Sequence, residues 1–140
     1  MTHIDTTFLE KCISTLDKAL HLLNNSGQEQ IDHEIYRSAC VKEFEIILEQ
    51  SGKLLRKALK PYFHSSAAVD KLIFKDVFRH AALHQIISHD ACERWLQYRD
   101  SRNSTAHDYG ENFAEQTLAF LPQFVADATA LANAIKKIDA

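Results

Sequence analysis

Leu118-Ala119-Phe120-Leu121-Pro122-Gln123-Phe124-Val125-Ala126-Asp127-Ala128-Thr129-Ala130-Leu131-Ala132-Asn133-Ala134-Ile135 sets Leu118, Leu121, Val125, Ala128, Ala132 and Ile135 at alternating steps of three and four. That spacing makes one apolar seam along a helix, suited to lengthwise packing against other helices in a bundle. A helix over 112–138 follows, with Pro122 expected to kink it because proline removes one backbone donor and crowds the preceding turn. Nothing in the chain alternates with period two for long enough to form a strand.

Working back from this seam, the same periodicity recurs. Leu9, Cys12, Ile13, Leu16, Leu20 and Leu23 form one face of a first helix, capped among Asp5, Thr6 and Thr7 and ended by Asn24-Asn25-Ser26-Gly27. A second helix is expected from Gln28 to Lys60. Ile31 and Ile35 open its inner stripe, Phe44, Ile47, Leu48, Leu55 and Ala58 continue it, and Pro61 closes it. Gly52 in its interior costs roughly 1 kcal/mol against alanine, which suggests a kink or a close contact there. The segment 62–73 reads as loop with one helical turn. A helix over 74–87 turns Val77, Phe78, Ala81 and Ala82 inward, and Asp90 is a fair N-cap for the next helix.

The fold class expected is all-α: an up-and-down four-helix bundle with an additional shorter helix, as one domain over residues 1–140. With 140 residues, such a chain can bury a core without disulfides or a structural metal. Only 3 Gly and 2 Pro leave few places to break helices. Cys12, Cys40 and Cys92 are odd in number and form no CxxC pair, which argues against a disulfide framework and suits a reducing, cytoplasmic setting, with Cys12 and Cys40 as buried apolar fillers. No signal peptide is legible, no apolar run approaches membrane-spanning length, and no membrane partner is expected. A net charge of −3 means that any attraction for nucleic acid must be local.

Such a locality exists at Arg102-Asn103-Ser104-Thr105-Ala106-His107-Asp108-Tyr109-Gly110, at the end of the helix that starts near Asp90. Trp95, Tyr98 and Arg102 share one face of that helix, with Arg99 beside them. The residue types suit RNA cleavage without a metal or other cofactor. A histidine with a pKa near ~6.5 can take the 2′-hydroxyl proton or return one to the leaving 5′-oxygen. An arginine fork can hold the phosphate and the added charge of its transition state. Asn103 can orient His107 or bind the phosphate. The products would be a 2′,3′-cyclic phosphate and a 5′-hydroxyl. On an unbroken helix Arg102 and His107 lie about 140° apart, so either the helix unwinds before His107 or two chains share the site across a two-fold axis.

Arg79 and His84 repeat the R-x4-H spacing, so spacing alone decides little. What distinguishes the later copy is its company, Asn103 and Tyr109. At R-N-S-T-A-H-D-Y the sequence resembles the HEPN family, in particular HepT-like toxins paired with a minimal nucleotidyltransferase (MNT) antitoxin, whose motif is R-x4-H-x-Y with a polar residue after the arginine. Phe74-Lys75-Asp76-Val77-Phe78-Arg79 and Trp95-Leu96-Gln97-Tyr98-Arg99-Asp100 are similar to the same subfamily in order and spacing. The resemblance implies an all-α homodimer whose paired motifs line a cleft. It implies Arg102 and His107 as the ribonuclease pair with Asn103 in support, and Tyr109 as the hydroxyl that the antitoxin modifies with AMP.

Plainer readings stand beside these. Arg102 can be a salt-bridged arginine, His107 a helix-end cap, and Tyr109 a packing residue. Lys75, Arg79 and Arg99, with Arg94, can form a basic rim for RNA or a merely solvated surface. Trp95 and Tyr98 can stack bases, although core packing is the ordinary role. His80 and His84 are one turn apart, yet no HExxH pattern accompanies them, so no metal site is assigned. The alternative function is a non-catalytic docking or substrate-binding subunit of a two-component nucleotidyltransferase. A helical dimer with no chemistry is the third reading.

Overall fold

The computed structural model describes residues 3–27, 30–105 and 111–139, leaving aside the side chains of 103–105, 111–114 and 139. The helices are α1 (Thr7–Asn24), α2 (Ile31–Leu59), α3 (Ser66–Asp70), α4 (Phe74–Leu83), α5 (His89–Thr105) and α6 (Glu111–Asp139), with a short 3-10 turn at Lys60–Tyr62. Among the described residues there is no strand. The long helices α1, α2, α5 and α6 make the all-α bundle, and α4 is the added shorter helix, packed against α2 and α5.

The first-helix face is buried as its spacing predicts: Leu9, Cys12, Ile13, Leu16, Leu20 and Leu23 all lie in the core. Thr6 is the N-cap residue, while the Asp5 carboxylate accepts from the Thr7 backbone N–H at 2.9 Å. In α2 the stripe from Cys40 through Phe44, Ile47, Leu48, Leu55 and Ala58 is buried, but Ile31 and Ile35 are not. They are 78% and 56% exposed, which corrects their assignment to the inner face. At 100° per residue they stand about 180° and 140° around the helix from Cys40. Their four-residue spacing marks a face, but the wrong one.

Gly52 makes a close contact rather than a break, for α2 is helical straight through it. A Cβ there would sit 2.8 Å from Cε2 of Phe74, so the missing side chain makes room for the first ring of α4. That helix buries Val77, Phe78, Ala81 and Ala82 but ends at Leu83, four residues before the expected end. Gln85 takes a left-handed φ of 62°. The Ile86 N–H then reaches the Ala81 carbonyl at 2.8 Å and the Gln85 N–H reaches Ala82 at 3.0 Å. This is a Schellman stop built without glycine. The next helix is capped by Ser88, whose Oγ accepts from the Ala91 N–H at 3.0 Å; Asp90 lies inside the first turn instead.

The seam of α6 is wider than its three-four spacing. Phe124 and Leu131 join Leu121, Ala128, Ala132 and Ile135 in the core, with Leu118 and Val125 partly buried. The width follows from neighbours on several sides, since α6 packs against α1, α2 and α5. The helix continues through Pro122. The stretch Glu115–Ile138 reaches a mean hydropathy of 1.3, long and apolar enough by composition to cross a membrane, contrary to the expectation that no run approaches that length. Leu121, Phe124, Leu131 and Ile135 of this stretch are nevertheless buried in the bundle core.

Candidate functional site

α5 carries the candidate residues, and its local sequence explains how it is held. Trp95 and Tyr98, three residues apart, are both buried, so they belong to the core and not to a base-stacking surface. Trp95 stacks on Phe78 with ring centres 4.9 Å apart and meets Phe124 edge-on at 5.5 Å. Tyr98 meets Phe124 edge-on at 4.9 Å. Such aromatic contacts fix the rotation of α5 as well as its position.

One turn up the helix, Arg94 reaches Asp127 of α6 through two hydrogen bonds of 2.8 Å, from Nε to Oδ2 and from Nη2 to Oδ1. The Tyr98 hydroxyl donates to the same Oδ2 at 2.6 Å. Asp127 is buried, and these donors satisfy a carboxylate that burial would otherwise penalise. Burial first, then the bond to Asp127, pushes the Tyr98 phenol well above its ordinary range, and the Asp127 bond likewise raises the Arg94 guanidinium. This network was not foreseen. Its one signal was position: Asp127 falls three residues after Phe124 and four before Leu131, on the inward stripe.

Beyond Tyr98 the helix faces α2 and α4 with charge. Arg99 pairs with Glu49 at 2.8 Å and lays its guanidinium over the Phe74 ring, 4.5 Å from its centre. Arg102 follows, its Nε 3.7 Å from Oε1 of Glu45, both side chains about one-third exposed. Asp100 pairs with Lys75 of α4 at 2.6 Å. Helix α5 continues through Thr105. His107 and Tyr109 lie outside the described residues, as does the side chain of Asn103.

The basic candidates for an RNA rim are thus all partnered by carboxylates: Lys75 with Asp100, Arg99 with Glu49, and Arg79 with Asp76 at 2.8 Å. Lys75 and Arg99 both sit where α4 meets α5, Lys75 on Asp100 and Arg99 over Phe74. Arg79 lines a separate groove of about 450 Å³ between α4 and α5, with Asp76, His80, Leu83, His89 and Glu93. Cys92 in that groove is ten residues before Arg102, about 15 Å along the helix.

The earlier R-x4-H copy has different surroundings. His84 stacks flat on Tyr62 at 4.0 Å, and His80 meets Phe63 edge-on at 5.0 Å. Among the described residues no three His, Cys, Asp or Glu side chains are grouped to hold a metal ion. The three thiols are buried, and burial raises each of their pKa values, Cys40 to about 11, away from nucleophilic use at neutral pH.

A curated relative from Haemophilus influenzae, named Probable ribonuclease HepT, is 24% identical over 110 residues, covering 79% of this chain and 74% of that protein. A solved structure from the same organism, described as showing the fold of a substrate binding domain of a nucleotidyltransferase, superposes with a TM-score of 0.80 at 20% identity over 94% of this chain and 99% of that one. A Thermus thermophilus structure matches at a TM-score of 0.72 and 21% identity, covering 91% and 98% of the two chains. These two structures share the helical fold. A family model described as nucleotidyltransferase substrate binding protein like matches residues 7–137, from the start of α1 almost to the end of α6. With nearly the whole length matched by that model, the chain belongs to the nucleotidyltransferase substrate binding protein like family.

Proposed function

We propose that this chain is a metal-independent endoribonuclease toxin acting through Arg102 and His107, with Asn103 in support, and held in check by an MNT nucleotidyltransferase that adds AMP to Tyr109. The observation that carries the reading is the placement of Arg102. It is a partly exposed arginine at the end of a core-anchored helix, directly before the R-x4-H-x-Y continuation. A relative named as a probable ribonuclease supports the same reading.

In the mechanism, His107 removes the 2′-hydroxyl proton while that oxygen attacks the adjacent phosphorus; the P–O5′ bond breaks and the 5′-oxygen departs with a proton taken from solvent water. Arg102 binds the phosphate oxygens as negative charge builds on them. In a homodimer, the arginine of one protomer and the histidine of the other can complete a site that one straight helix does not. Lys75, Arg79 and Arg99 contribute to the RNA rim by exchanging a carboxylate partner for a phosphate, an exchange weakened by salt. AMP on Tyr109 would place a bulky anion two residues from His107 and exclude RNA. Incubation of the purified chain with single-stranded RNA in EDTA tests the reading: cleavage is expected from the wild-type chain and not from His107→Ala.

A second reading, the docking or substrate-binding subunit of a two-component nucleotidyltransferase, is favoured by the description of the family itself. It predicts a stable complex with a small nucleotidyltransferase and no RNA cleavage under any condition. The first reading predicts the complex and the cleavage together.

A further inference from the structure

We propose that Lys53, Lys57 and Lys60, with Tyr62 at their end, form a surface that grips single-stranded RNA away from the cleavage motif. RNA as the ligand rests on the ribonuclease reading, but the surface concerns binding and does not need cleavage. From Gln50 to Val69 the chain holds Lys53, Arg56, Lys57 and Lys60 and not one Asp or Glu. That stretch has four of the 16 Lys and Arg and none of the 19 Asp and Glu, so a chain of net charge −3 carries here a local positive field.

The backbone turns this composition into a line. Lys53 and Lys57 are one turn apart on α2. Lys60, seven residues after Lys53, keeps the register because its own backbone is still helical, with φ −50° and ψ −43°. All three side chains are exposed, while Leu54, Leu55, Ala58 and Leu59 between them are buried. Arg56 is spent otherwise, its Nη1 donating to the Val69 carbonyl at 3.1 Å and holding α3 in place. Among the described residues none of the three lysines is ion-paired, in contrast to Lys75, Arg79 and Arg99. They can neutralise phosphates without first giving up a carboxylate. The helix dipole accounts for cations in the last turn, where Lys57 sits, but not for Lys53 before it.

At the end of this line the chain turns through Lys60–Tyr62, and Tyr62 is left 50% exposed. Its ring lies flat on His84, with centres 4.0 Å apart and planes 14° from parallel. A ring supported in this way is a platform for a base, since every base has a π-face to stack. A row of cations ending on an aromatic platform is the arrangement that holds a single strand with little regard to sequence. The row begins about 12 Å along α2 from Glu45, the partner of Arg102. Glu49 occupies the turn between and is itself paired with Arg99.

Fluorescence anisotropy of a labelled single-stranded RNA of about 12 nucleotides, titrated with the His107→Ala chain over a series of salt concentrations, tests the surface without cleavage. Lys53→Ala combined with Lys60→Ala is expected to weaken binding about tenfold and to lower the slope of log affinity against log salt by about 1.4. Its unfolding midpoint should match the parent. Tyr62→Ala should weaken binding about fivefold or more with the slope unchanged, and Tyr62→Phe should bind like the parent. Lys11→Ala combined with Lys18→Ala removes the same charge from exposed positions of α1 and should leave affinity within about twofold.

The absence of RNA binding by the parent overturns the proposal, as do equal losses in the two lysine pairs or an unchanged salt slope. Tyr62→Ala binding like the parent, or Tyr62→Phe binding as weakly as Tyr62→Ala, also overturns it. Lysine-dependent binding to vesicles of phosphatidylserine and phosphatidylcholine, with none to RNA, overturns it in favour of a lipid surface. The expected binding in a wild-type chain that never cleaves RNA is a different result: it removes the ribonuclease reading and leaves this surface standing.

Discussion

Arg94 of α5 holds Asp127 of α6 by two parallel hydrogen bonds of equal length, 2.8 Å each, and Tyr98 adds a third donor to the same carboxylate. The helix bearing Arg102 is thereby fastened to the helix that follows the candidate motif. Asp127→Asn keeps the volume but discards the charge and leaves Arg94 and Tyr98 poorly matched. Because Arg94 is about one-third exposed, the full cost of a buried pair does not apply. A loss of about 2 kcal/mol is expected in urea unfolding. Replacing both partners, as in Arg94→Met with Asp127→Leu, should recover part of it.

The alkaline limb of stability should report the protons of the buried thiols and of Tyr98, with Cys40 the most shifted thiol. Burial raises the Cys40 thiol from 9.0 to about 11, and burial with the Asp127 bond raises the Tyr98 phenol. The unfolded chain ionises both groups first, so their contribution is complete below pH 9 and declines as pH rises from 9 towards 11, with Tyr98 adding to the loss above about pH 10. Cys40→Ala should flatten the 9–11 part of a stability profile measured by denaturant unfolding, even though it lowers the plateau. A wild-type profile that is level across that range would contradict the assignment.

Gly52→Ala should destabilise the chain despite alanine's better helix propensity. The new Cβ would lie 2.8 and 3.1 Å from two atoms of a Phe74 ring that is itself held by Phe78 at 4.8 Å and by Arg99 above it. Overpacking of this kind costs about 1–3 kcal/mol, against a gain of about 1 from propensity. A net loss of about 1 kcal/mol and a disturbed Arg99 stack are expected. Phe74→Leu in the same chain should relieve most of the loss.

Gln85→Gly should do the opposite. The left-handed φ of 62° at the α4 stop strains any side chain, and glycine removes that strain at a modest entropic cost. A gain of about 0.5–1 kcal/mol is expected, read as a higher unfolding midpoint with unchanged helical content.

These features explain what could and could not be read in the chain. The six apolar residues of α1 and the inward face of α4 were legible because burial on one side leaves a pure three-four pattern. Ile31 and Ile35 misled because spacing identifies a face without saying which way it points. The α4 stop was invisible because Gln85 does there what a glycine usually signals. At the site, the motif was legible as residue types, but its partners were not. Glu45, Glu49 and Asp127 are distant in sequence, and each looks like a solvated carboxylate until α2, α5 and α6 are packed together.

The measurement that bears most directly on the account is the end-group chemistry of RNA exposed to the purified chain in EDTA. Fragments ending in a 2′,3′-cyclic phosphate and beginning with a 5′-hydroxyl are expected, reduced by more than about a hundredfold in both Arg102→Ala and His107→Ala. Intact RNA, or the same fragments at the same rate from either variant, would contradict it.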